Sequence, residues 1–211
     1  MNFICEEVID HAQGVVIAKA PKDLVNIRNS DCAAALWQRQ FQPEFGQWID
    51  NLPAHNLPEG RLVLPKERIS DAVRQLCEMA DMPEHPNREL FINDVDSLSQ
   101  LFAAVMEAKY LRLRLEKVAD NACRKFHRDA VHARLVCTYR GRGTQYGTSP
   151  DGNDPEQIFS AQTGAPILLR GSEWPEYPSA NLLHRSPPIE GTGETRLLLV
   201  LDPIFDPDNE Y

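Results

Sequence analysis

The sequence contains no uninterrupted apolar run near the roughly 20 residues that a membrane-spanning helix needs, which leaves no candidate span. Cysteine is sparse. Cys5, Cys32, Cys77, Cys123 and Cys137 are odd in number, widely scattered and without a CxxC pair. That pattern suits reduced thiols in a cytosol better than a disulfide framework. Positive charge is in deficit: the formal net charge is -9, which argues against nucleic acid as a partner, because phosphate binding needs a basic face. Internal repeats and low-complexity segments are absent. The opening "MNFICEEVIDHAQGVVIAKAP" lacks a basic segment followed by an apolar one, so the expectation is a cytoplasmic protein without a signal peptide.

What remains is ordinary for a globular chain. Of 211 residues, 42% are hydrophobic and 25% charged, enough to bury a core in one domain spanning 1–211. Texture divides it into a mainly helical part, 1–108, and a strand-rich part, 109–211. "GVVIA" suits a short strand. "NSDCAAALWQRQF" begins with cap-type residues and predicts a helix burying Ala33, Leu36, Trp37 and Phe41. "PEFGQWIDNLP" spaces Phe45, Trp48, Ile49 and Leu52 helically. Lys66 to Met82 predicts another helix, with Ile69, Val73, Leu76, Met79 and Ala80 inside. "MPEHPNRE" is expected to be a linker before a long helix capped by Asp94 or Asp96.

The period then changes to two. In "YLRLRLEKV" three leucines alternate with Arg112, Arg114 and Glu116, which predicts a half-buried strand with its arginines on a solvated face. "HARLVCTYRG", "APILLRG" and "TRLLLVLD" are further strands separated by turn-rich stretches. Helices first and strands after suggest an α+β fold whose second part is an antiparallel sandwich or barrel.

Within this frame one stretch, "CRKFHRDAVHARLVCTYRGRG", sets His127 and Asp129 two residues apart. On a strand such positions share a face. Alone, an HxD is most often a hydrogen-bonded surface pair. His184, in "LLHRSPP", could supply a third ligand, and Arg196 follows twelve residues later at the head of a strand. Two imidazoles and one carboxylate leave three positions of an octahedral ion open, the facial arrangement of non-heme Fe(II) oxygenases. Those positions would take a chelating 2-oxo acid and O2, and a buried Arg can grip a far carboxylate. The same donors accept zinc. A zinc set with Cys123 or Cys137 matches no finger spacing. His132 lies past a bend and is expected to be an edge residue; His11, His55 and His85 are expected at the surface.

The order HxD, His, Arg resembles that of the 2-oxoglutarate/Fe(II)-dependent dioxygenases over about the last hundred residues. More of the chain, including "NSDCAAALWQR", "FGQWIDNLP", "FHRDAVHARLVCTYRGRGT", "LLHRSPP" and "RLLLVLD", resembles an uncharacterised bacterial family, domain of unknown function 1826. The dioxygenase resemblance implies a double-stranded β-helix (jelly-roll, cupin-like) core with the N-terminal helices packed against it. It implies His127, Asp129 and His184 as iron ligands and Arg196 as the anchor for 2-oxoglutarate. Tyr139, ten residues after Asp129 on a strand expected to line the same cavity, is expected to give its hydroxyl to the same carboxylate. Arg134, Arg140 and Arg142 compete for the anion role. The gap from His184 to Arg196 is slightly longer than is usual for those enzymes. The implied function is oxidation of a second substrate, a small molecule or a protein. The alternatives are a zinc-binding or metal-homeostasis protein using the same three residues, and a helical interaction protein whose sheet is only a scaffold. "EWPEYPS" is either a lid over the site or a proline-stiffened loop.

Overall fold

A computed structural model describes residues 11–175 and 181–209. The elements run β1 (Val15–Ala18), a 3-10 helix (Pro21–Arg28), β2 (Ala34–Trp37), α1 (Pro43–Asn51), β3 (Gly60–Pro65), α2 (Ile69–Met79), α3 (Pro86–Met106), β4 (Tyr110–Val118), β5 (Ala133–Arg140), β6 (Gln145–Thr148), β7 (Phe159–Ser160), β8 (Ile167–Arg170), β9 (Leu182–Arg185) and β10 (Arg196–Ile204). Seven strands form one sheet in the order β1-β2-β8-β5-β10-β4-β3, and three form a second in the order β7-β6-β9. An isolated antiparallel bridge between His127 and His184 extends the second sheet beyond β9.

Counted along the chain from β4, with the His127 bridge as the second position, the first sheet holds positions 1-8-3-6 and the second 2-7-4-5. That is the two-Greek-key order of a jelly roll, so the core is a double-stranded β-helix. β1, β2 and β3, all from the N-terminal part, lengthen the larger sheet at its two edges.

Alternation along the strands gives the larger sheet two different faces. Leu111, Leu113, Leu115, Leu135, Cys137, Leu197, Leu199 and Leu201 pack with the helical layer, around Phe91, Val95, Leu98 and Phe102 of α3. Val136, Ile167, Leu169, Leu198 and Val200 face the smaller sheet and meet Tyr146 and Leu182. β10 is central and buried along its whole length. Each fully buried aliphatic side chain contributes about 1.5–3 kcal/mol, so the sandwich and the helical layer hold each other in place.

Three local expectations change. "AALW" is a strand, β2, paired with β1 and β8, because tertiary pairing outweighs the modest helix preference of alanine. The long helix starts at Pro86. His85 caps it by accepting from the Asn87 amide at 3.1 Å and stacks on Trp48. Asp94 is therefore inside the helix, where it serves another purpose. Met79 is 80% exposed rather than part of the α2 stripe. Among the described residues no helix is long and apolar enough to cross a membrane.

Candidate metal centre

His127 and Asp129 do not lie on a regular strand. They sit in the connection from β4 to β5, held in extended form from both sides. On one side His127 and His184 exchange backbone hydrogen bonds, each 3.0 Å, which sets their rings side by side with centroids 4.6 Å apart and planes tilted by 46°. On the other side the turn after β8 clamps the connection. Gly171 N donates to His132 O and Ser172 N to Asp129 O, both at 2.8 Å. A Cβ at Gly171 would stand 1.7 Å from Val131 O, so only glycine permits this approach. Gly171→Ala should weaken zinc binding about 10–100-fold, the cost of disturbing an outer support of metal ligands. Chelator competition measures this, with far-UV circular dichroism to show that the fold is retained.

Together His127, Asp129 and His184 offer donor atoms that all lie within 4.8 Å of one another. His184 Nε2 is 3.0 Å from Asp129 Oδ2, and His127 Nε2 is 3.5 Å from Oδ1. Two ligands ~2.1 Å from one ion and at right angles stand ~3.0 Å apart, so the His184–Asp129 spacing already suits a shared metal. Despite that proximity, Asp129 Oδ2 is buried and has no hydrogen-bond partner among the described residues. The imidazole beside it carries charge only when protonated, so a metal ion shared by the two groups would satisfy this oxygen. His127 Nδ1 lies 2.8 Å from Lys125 O. A proton on Nδ1 there leaves the Nε2 lone pair aimed at the cluster, the usual outer-shell arrangement of a metal-binding imidazole. Burial alone would raise the Asp129 carboxyl, but contact with both imidazoles and the Arg134 charge holds it well below the usual carboxylate range. Contact with Asp129 raises the His127 imidazole, against the effect of burial.

Arg134 holds Asp129 from behind. Its Nη1 pairs with Asp129 Oδ1, while Nε and Nη2 fork onto Asp202 at 2.6 and 3.0 Å. Oδ1 is thus committed to Arg134, and Oδ2 is left for a metal. The sequence set Arg134 among candidates for binding an anion; its partners make it a positioning residue for Asp129. Arg140 donates to Leu52 O, and Arg142 pairs with Glu194.

Arg196 lies on the same face of β10 as Leu198, Val200 and Asp202, the face turned to the smaller sheet. It is 0% exposed. Its Nε donates to Arg142 O at 2.6 Å, but Nη1 and Nη2 are buried without a hydrogen-bond partner among the described residues. The neighbouring acid, Glu194, is taken by Arg142. Gly141, at φ +77, makes room: a Cβ there would meet the Arg196 stem at 2.9 Å. Burial lowers the guanidinium to about 10, still charged at neutral pH. Two unmatched N–H edges in a buried cation fit a carboxylate.

Tyr139 lies elsewhere. It faces the helical layer, and its hydroxyl donates to Asp94 Oδ2 at 2.6 Å. It shares that face with Leu135 and Cys137, and the connection before β5 is not strand, so counting in twos from Asp129 does not carry through to β5. The Arg112 and Arg114 side chains are only 18% exposed, on the inner face of the sheet rather than in solvent. Of the suggested lid, residues 176–179 lie outside the described residues; Trp174 is stacked under Arg170 at 4.5 Å. A cavity of about 740 Å³ between the β6–β7 connection and His11 to Gln13 shares no residue with the three donors.

No curated protein matches the sequence. Solved structures do match the fold. The dioxygenase for auxin oxidation 1 from Arabidopsis thaliana, in a binary complex with 2-oxoglutarate, superposes with a TM-score of 0.54 over 95% of both chains at 11% identity. The dioxygenase for auxin oxidation in rice gives a TM-score of 0.52 over 93% of this chain and 84% of that one, at 10% identity. The shared element is the double-stranded β-helix fold. Over residues 18–202 the sequence matches the family described as protein of unknown function (DUF1826), and the chain belongs to that family.

Proposed function

We propose that the protein is an Fe(II)/2-oxoglutarate-dependent oxygenase, with His127, Asp129 and His184 as metal ligands and Arg196 as the co-substrate anchor. The observation that carries this is a pair of unmet needs on one inner surface. Among the described residues, Asp129 Oδ2 meets His184 Nε2 at 3.0 Å but is otherwise unmatched, and Nη1 and Nη2 of Arg196 have no hydrogen-bond partner. A metal alone would answer the first and leave the second. A metal with a bound 2-oxo diacid answers both, which favours this function over zinc storage. The fold shared with dioxygenases supports the same assignment.

With iron bound, the chemistry supplied is O2-dependent decarboxylation of 2-oxoglutarate to succinate and CO2, coupled to insertion of the second oxygen atom into a C–H bond of a second substrate. The chain's own part is positional. The His127–His184 bridge aligns two imidazoles, and Arg134 fixes the rotation of the Asp129 carboxylate. Arg196 sets the depth to which a diacid enters. The cytoplasm supplies both iron and 2-oxoglutarate, and we place the protein there.

The test is anaerobic addition of Fe(II) and 2-oxoglutarate. A visible charge-transfer band should form, and succinate should follow on admitting air. Arg196→Ala should bind 2-oxoglutarate about 30-fold or more weakly, as truncating a buried charge pair costs 2 kcal/mol or more, while zinc affinity is retained. Tightly held zinc with indifference to 2-oxoglutarate would instead identify a metal-handling protein.

A further inference from the structure

Asp202 is 1% exposed on β10, the central strand, whose only other charged residue is Arg196. The desolvation penalty of a buried ion pair can exceed its attraction, so stability alone does not account for an acid in this place. What Asp202 holds is more specific. It stands opposite Arg112 of β4 in register, 3.8 Å from that guanidinium. Arg114 reaches it at 3.4 Å, and Arg134 forks onto it through Nε and Nη2 at 2.6 and 3.0 Å. These three arginines are not equivalent. Arg112 has a further interaction, and Arg114 also pairs with Glu116 at 3.1 Å. Arg134 has two acids as its partners among the described residues, Asp202 and Asp129.

Arg134 meets those two acids differently. Its Nε–Nη2 edge is given over to Asp202, and Nη1 alone touches Asp129, at Oδ1. A metal ligand needs that arrangement: one oxygen is steadied, and Oδ2 stays beside His184 Nε2 at 3.0 Å. A guanidinium set free from Asp202 would have one carboxylate left to pair with, Asp129. Guanidinium and carboxylate favour the two-oxygen fork. We propose that Asp202 is a positioning residue for the metal centre: by occupying the Nε–Nη2 edge of Arg134, it keeps that guanidinium from closing over Asp129 Oδ2, the oxygen turned to the metal. This rests on the metal-centre reading above. It makes Arg134 both a support for Asp129 and a rival for it, with Asp202 deciding which.

The test is zinc affinity, measured by chelator competition in wild type, Asp202→Asn, Arg134→Gln and the double variant. Asp202→Asn should bind zinc about 10–100-fold more weakly than wild type, the cost of losing an outer-shell partner. Arg134→Gln removes the rival along with the support and should lose less than Asp202→Asn. The double variant should match Arg134→Gln within about twofold, and so bind zinc more tightly than Asp202→Asn alone. That recovery is the readout a structural role does not give. If Asp202 only held the sheet together, the double variant would be as weak as Asp202→Asn or weaker, and that result overturns the proposal. Wild-type affinity in Asp202→Asn overturns it too. Far-UV circular dichroism checks the fold of each variant. Should Asp202→Asn fail to fold, Arg134→Gln and the double variant still decide. With no guanidinium at position 134, the charge of Asp202 should change zinc affinity by no more than about twofold, and a larger difference overturns the proposal. A wild type that binds zinc beside variants that break this pattern keeps the metal centre and removes only the role of Asp202. A wild type that binds no zinc overturns both.

Discussion

Zinc(II) supplied at about 1,000 times its dissociation constant should stabilise the wild-type protein by about 4 kcal/mol, and His184→Ala should show none of that gain. For a chain of this size the wild-type shift corresponds to about 8–16 °C in melting temperature. The sign follows from where the donors sit. His127 and Asp129 come from one segment and His184 from another far along the chain, and the three converge only when β9 is docked against the β4–β5 connection. A metal therefore binds the folded chain and not the unfolded one. Losing an inner ligand should weaken zinc by more than the ~100-fold that an outer-shell change costs. Removing the His184 ring leaves the backbone bridge to His127 in place, since that bridge uses only N and O atoms. The variant should then keep its fold, and calorimetry with and without zinc separates a lost ligand from a lost structure. A wild-type protein indifferent to zinc, iron and manganese alike would remove the metal centre altogether.

The cluster of three donors was readable in the sequence because its signal is chemical and local. HxD brings two donors together under any extended conformation, and His184 and Arg196 follow in strand-like runs. The alternation in "YLRLRLEKV" and the leucines of β10 likewise fixed β4 and β10. What escaped notice depends on partners remote in sequence. "AALW" reads as helix until β8 stands beside it. Arg112 and Arg114 read as solvated because alternation says which residues share a face, not whether another sheet covers that face. Tyr139 read as a site residue because its place was counted from Asp129 through residues 130–132, which are not strand; from Leu135 onward it keeps the face of Cys137, toward the helices. Gly171 carries no local signal at all; its value lies in a contact with Val131 O forty positions earlier. Arg134 was visible as a cation, but its role waited on Asp202, sixty-eight residues on.

The same remoteness conceals a polar tie between the helical layer and the sheet, at Asp94. Its carboxylate receives Arg39 Nη1 and Nη2 at 2.6 and 2.7 Å and the Tyr139 hydroxyl at 2.6 Å. Arg39 also donates to Gly164 O and stacks on Trp37. One acid on α3 thereby fixes β5, the segment after β2 and the turn before β8. Asp94→Ala strands an Arg39 side chain that is 16% exposed and a Tyr139 hydroxyl that is 0% exposed. Breaking a buried pair by removing one partner costs about 3–5 kcal/mol, a large share of a total stability of about 5–15 kcal/mol. Urea unfolding should show the midpoint fall accordingly, with little change in slope. Tyr139→Phe removes one hydrogen bond to a charged group and should cost only about 1.5–3 kcal/mol. It also distinguishes the two faces of β5. If Tyr139 served the co-substrate, its loss would weaken 2-oxoglutarate binding; since its hydroxyl is directed at α3, stability should fall while 2-oxoglutarate affinity holds.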